Sequence, residues 1–154
     1  MSLLMMALAL AGTAPAEDRH VGAWTIGPAT SDSCQATAQF GDDIAVSIEE
    51  DSGGTGHFVI ADHRWLLSEG DVKPGIFSWQ DETWRPSVNA DFTVHKTPSG
   101  AYLLVAETGS WMTENMVGKK GFWLKIPGVD FDDSFEIPEA SDITSALAAC
   151  NSEL

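Results

Sequence analysis

The chain has 154 residues, room for one domain and little else. It carries 8 Lys and Arg against 23 Asp and Glu, a net charge of −15. So acidic a balance argues against nucleic acid and anionic membrane surfaces as partners, because both require clustered cations.

Residues 1–16 contain no charge, and Leu3 to Leu10 form an apolar core followed by small residues ending Ala14-Pro15-Ala16. A short apolar run before a small-x-small site matches a secretory signal peptide, although no Lys or Arg precedes the core. The core is far shorter than the roughly 20 residues a spanning helix needs, so no membrane span is expected. Thr13 stands where a lipoprotein would carry its lipidated Cys, so the expected product is a lipid-free domain covering residues 17–154. The expected address is the periplasm or the medium of a bacterium.

Beyond residue 20 the pattern is short alternating runs broken by Gly, Pro, Asp and Asn, which predicts an all-β domain. Gly22 to Ile26 opens it. Cys34, Ala36, Ala38 and Phe40 then alternate with Gln35, Thr37 and Gln39, and Ile44, Val46 and Ile48 follow a turn at Gly41-Asp42-Asp43. Residues 51–56 are a Gly-rich hairpin connection into Phe58-Val59-Ile60. Further runs cover 76–80, 88–95, 101–107 and 122–126, with a turn at Pro98-Ser99-Gly100. The count is about eight strands in an antiparallel barrel or sandwich.

The last element differs. Ile143, Ala146, Leu147 and Cys150 fall at i, i+3, i+4 and i+7, one apolar face of a short C-terminal α-helix that Ser141-Asp142 is expected to cap. Cys34 sits on the apolar side of its strand and Cys150 on the apolar face of that helix. Both thiols therefore point inward in a chain addressed to an oxidising compartment, which predicts a structural Cys34–Cys150 disulfide closing a long loop.

Catalytic and metal signatures are weak. His20, His57, His63 and His95 never fall at i, i+2 or i, i+4, and alternation places His57 and His95 on the polar side of their strands. Asp130, Asp132, Asp133 and Glu136 cluster in what reads as a loop, without the Gly turn and ligand spacing of a calcium loop. No Ser stands in a Gly-x-Ser-x-Gly elbow. No catalytic residue, metal site or cofactor is therefore assigned. The informative excess is six Trp residues, which can pack a core or line an apolar or sugar site. Trp79 and Trp84, flanking Asp81-Glu82-Thr83, are expected on a loop rim. Trp123 alternates against Phe122, Leu124 and Ile126 and faces the other side of its strand. These three are the candidate ligand contacts.

Trp24 ten residues before Cys34, the run Asp62-His63-Arg64-Trp65, and the ending Ala146-Leu147-Ala148-Ala149-Cys150 together carry a resemblance. The chain is similar to small exported proteins of sphingomonads and other alphaproteobacteria, and more distantly resembles the invasion-associated locus B family, whose second internal cysteine pair it lacks. The resemblance implies a periplasmic address and no particular activity. Gly22-Ala23-Trp24 also resembles the Gly-x-Trp of lipocalins. The leading expectation is a non-enzymatic domain binding an envelope protein. The alternatives are a lipocalin-like carrier of a small apolar ligand and an envelope hydrolase.

Overall fold

The computed structural model describes residues 18–81 and 86–154. The signal-peptide segment and Trp84 lie outside the described residues. The chain forms β1 (Arg19–Val21), β2 (Trp24–Pro28), β3 (Ser33–Phe40), β4 (Ile44–Asp51), β5 (Gly56–Asp62), β6 (Val72–Gln80), β7 (Ser87–Lys96) and β8 (Tyr102–Glu107). These are followed by α1 (Trp111–Met116), β9 (Gly121–Ile126), β10 (Phe131–Glu136) and α2 (Ala140–Ser152). All strands belong to one antiparallel sheet in the order β1-β2-β3-β4-β5-β8-β7-β6-β9-β10, curled into a half-barrel. The all-β expectation with a C-terminal helix holds.

Two strands exceed the eight read from the pattern. The first is β1, only three residues long, paired to β2 through a tight turn in which Gly22 takes φ +58°. Gly22 and Ala23 are thus the turn of a hairpin rather than the start of a strand. The second is β10, which corrects the reading of an acidic loop. The connection from β9 is a short 3-10 turn at Pro127–Val129, closed by Asp130 in the left-handed region with its N–H donating to the Pro127 carbonyl. Asp132, Asp133 and Glu136 then lie on a strand in register with Lys125, Leu124 and Gly121. Only Phe131 and Phe135 of that strand are buried, and an exposed Asp133 sits between them on the same face, a common way of blunting an edge strand.

Alternation decides which side is core. Ala36, Ile48, Phe58, Leu104, Phe77 and Leu124 all point to the concave side and are at most 1% exposed. Aromatic rings fill the space between the two ends of the sheet. Phe77 stacks on Phe122 at 5.0 Å between centroids, Phe122 on Phe135 at 4.7 Å, and Phe135 meets Phe40 edge-on at 4.8 Å. Trp24 continues the series at 6.0 Å from Phe40, so contacts run from β2 and β3 across to β10. Rings at these separations contribute beyond the area they bury.

Helix α2 covers β1, β2 and β3. Of the face read from its spacing, Ile143, Leu147 and Cys150 are buried and Ala146 is partly buried, and Ala140 is buried with them. The cap differs from expectation. Glu139 occupies the N-cap position without a side-chain hydrogen bond, and the Ser141 hydroxyl instead accepts the N–H of Gly118 at 3.0 Å. The residue that could cap α2 is recruited to hold the turn after α1. Helix α1, which the hydrophobic pattern did not reveal, turns Met112, Thr113 and Met116 into the core and leaves Glu114 exposed.

Candidate binding surface

The predicted cross-link is present. Cys34 on β3 and Cys150 on α2 form a disulfide with 6.1 Å between Cα atoms and 116 residues of separation, and both residues are buried. A buried disulfide in a protein of this size points to an oxidising compartment. No described helix is long and apolar enough to cross a membrane.

The tryptophans divide between inside and outside. Trp79 is fully buried within β6 rather than placed on a loop rim, and its indole N–H donates to the Met112 carbonyl at 3.0 Å. It contacts Phe77 and Phe122 edge-on and is part of the filled interior. Trp24 is also buried, while Trp65 and Trp111 pack against the core from its margins. Trp123 lies on the outer face as alternation predicts, half-buried between Ser78 of β6 and Ser134 of β10. Its N–H donates to the Asp132 carboxylate at 2.7 Å, which fixes the ring plane. The structure therefore does not bring Trp79 and Trp123 together.

What the outer face does bring together is a set of residues on β4, β5, β7 and β8. Register places Glu49 beside His57 and His57 beside Glu107, with Val59 beside Val105 and Val105 beside Thr93 in the next outward row. A groove of about 820 Å³, open to solvent, runs over these rows. Its floor is the half-buried Val59, Leu103 and Val105, and its margin carries the carboxylates of Glu49, Asp91 and Glu107. His57 and His95 also border it, and no Lys or Arg does among the described residues. His57 Nε2 is 4.0 Å from the Glu107 carboxylate. A second groove, of about 430 Å³, shares Asn89, Ala90 and Asp91 with the first and reaches Ile76 and Lys125.

The larger groove exists because β7 outruns β8. The ladder between them runs from Lys96↔Tyr102 to Thr93↔Val105 and stops. The chain of β8 remains beside β5 as far as Glu107, the Thr108 N–H bonds to the Gly56 carbonyl, and Gly109 at φ +54° turns it into α1. From Ser87 to Phe92, strand β7 is paired to β6 alone among the described residues. Val94 donates its N–H to Asp71 and accepts that of Gly70, so its main-chain groups face β6. By the alternation of an antiparallel ladder, those of Thr93, Asp91 and Asn89 face the β8 side. Thr93 meets Val105 there. Asp91 and Asn89 have no strand beside them there among the described residues.

A separate ionic cluster closes the end of β5. Asp62 is 3% exposed and accepts hydrogen bonds from the Arg64 main-chain N–H at 3.0 Å, its Nε at 2.9 Å and its Nη2 at 2.5 Å. The Arg64 side chain holds the Asp62 carboxyl below the usual carboxylate range, against the opposing effect of burial. Asp43 adds contacts to His63 at 3.1 Å and Arg64 at 3.5 Å. The arrangement is a strap on the turn after β5, with every carboxylate engaged. Among the described residues no three His, Cys, Asp or Glu side chains are grouped so as to hold a metal.

No protein-family model, curated protein or solved structure matches the chain.

Sequence reasoning identified His57 and His95 as outward-facing and missed that they share a groove with Asp91 and Glu107. The signal was partly present. Val59, Leu103 and Val105 are large apolar residues at the outward positions of β5 and β8, beside His57 and Glu107, an outward apolar stripe that alternation alone can mark. The sequence contains no comparable sign of where β7 loses its neighbour, since that depends on the turn at Gly109.

Proposed function

We propose that the chain is an exported, non-enzymatic binding module of the bacterial cell envelope that engages a protein partner through its outer sheet face. The observation that carries this reading is the filled interior. Stacked and edge-on rings from Trp24 to Phe122 occupy the concave side where a carrier of apolar ligands would need an enclosed cavity, and the two grooves lie on the outer surface. The disulfide supports the exported address, and the resemblance to small alphaproteobacterial exported proteins narrows that address to the periplasm.

Native mass spectrometry of protein purified from the periplasm tests the reading. The expected spectrum contains the chain alone and in complex with a second polypeptide. A retained small apolar molecule in place of a polypeptide overturns it in favour of a carrier.

A further inference from the structure

The open flank of β7 is a strand edge set in an acidic groove, and the geometry points to a specific occupant: an extended, basic segment of a partner protein, added as a strand against Asn89 and Asp91. This rests on the binding-module reading and names the chemistry of its partner. Three independent features converge on it. The main-chain N–H and C=O groups of Asn89 and Asp91 face a side where β8 has already turned away into α1. Exposed main-chain groups of this kind are what β-strand addition uses, with alternate side chains providing specificity.

The second feature is an apolar patch at the end of that edge. Val105 closes the β7–β8 ladder opposite Thr93, and Val59 lies beside it on the same outward face, so the outward side chains of the added strand nearest β8 meet apolar surface. The third is charge. Glu49, Asp91 and Glu107 border the groove, and no Lys or Arg stands among its described lining residues, so an extended segment of Lys or Arg alternating with apolar residues is complementary to it. A second copy of this chain is a poor occupant, because each carries a net charge of −15. The same charge steers a cationic segment toward the surface before contact.

A short synthetic peptide alternating lysine with valine is the probe, measured by isothermal titration calorimetry and by amide hydrogen exchange on the intact, disulfide-bonded protein. The peptide is expected to bind, and the amides of Asn89 and Asp91 to become protected. The doubly charge-reversed variant, Asp91→Lys with Glu107→Lys, is expected to bind it about tenfold more weakly, since both side chains are exposed rim charges. N-methylation of alternate peptide amides keeps the charges and removes the strand hydrogen bonds, and is expected to weaken binding by about tenfold or more. That peptide arm does not depend on any protein variant folding. Absence of binding overturns the proposal, as does binding that survives N-methylation or leaves Asn89 and Asp91 unprotected. Failure here together with a co-purified polypeptide in the native spectrum removes the β7 edge as the docking site and leaves the module reading standing. A retained apolar molecule removes the module reading itself.

Discussion

Cys34 and Cys150 join the third strand to the last helix across 116 residues, with their Cα atoms 6.1 Å apart and both side chains buried. The bond closes most of the described chain into one loop, so its main effect falls on the unfolded state. Reduction, or Cys34→Ala with Cys150→Ala, is expected to lower stability by about 2–5 kcal/mol. Urea unfolding with and without reductant measures it. An unchanged midpoint would show that the packing of α2 on β2 and β3 suffices without the bond.

Asp62 and Arg64 give the fold a defined acid sensitivity. The Asp62 carboxyl is held below its ordinary value of 3.8, first by the Arg64 side-chain hydrogen bonds. A depressed folded pKa contributes stability that is fully present above the unfolded pKa and is lost as pH falls through the folded one. Asp62→Asn is therefore expected to cost about 1.5–3 kcal/mol near pH 7, the range for hydrogen bonds to charged groups. The deficit relative to the parent should shrink as pH is taken below about 3.8. Urea midpoints of both proteins across that range decide the point, and a deficit constant with pH would assign the role of Asp62 to its shape alone.

Much of this architecture was legible because two periodicities are strong. Alternation at Cys34, Ala36 and Ala38 and the i, i+3, i+4, i+7 spacing at Ile143 to Cys150 each put a thiol on a buried face, and together they specify the bond. The acidic strand β10 was not legible, because its pattern of Phe131 and Phe135 around an exposed Asp133 makes sense only for a strand at the edge of a sheet. Helix α1 escaped for a related reason: six residues are too few to display a helical period, and its seat against the core is set by contacts such as that of Trp79 with the Met112 carbonyl. The groove depends on which strands are neighbours. Glu49, Asp91 and Glu107 lie on three separate strands, and no local pattern announces their proximity.

The two candidate tryptophans on β6 and β9 should behave oppositely. Trp79→Ala removes a fully buried indole from the centre of the ring network and leaves the Met112 carbonyl without its donor, so a loss of about 3–5 kcal/mol is expected. Trp123→Ala removes a half-exposed ring from the outer face, and its effect should stay within about 1 kcal/mol. Thermal unfolding gives both values. Equal losses would mean that the Trp123–Asp132 contact supports the β9–β10 edge more than its exposure implies.

Gly121 tests how closely that edge is fitted. It opens β9 opposite Glu136, and a Cβ built on it lies 2.5 Å from the Phe135 carbonyl oxygen, a main-chain atom that cannot swing aside. Gly121→Ala must therefore displace β10 itself, and with it Phe135, whose ring stacks on Phe122 and meets Phe40. Overpacking against backbone is expected to cost about 1–3 kcal/mol. Gly41, at φ +65° in the turn between β3 and β4, provides the contrast: a Cβ there meets nothing within 4 Å, so Gly41→Ala carries only the penalty of its left-handed backbone, about 1 kcal/mol. Chemical denaturation of both variants separates steric displacement from backbone strain. Hydrogen exchange at the β9–β10 ladder should rise in Gly121→Ala and remain unchanged in Gly41→Ala. Equal exchange in the two would show that β10 accommodates the methyl group without leaving its register.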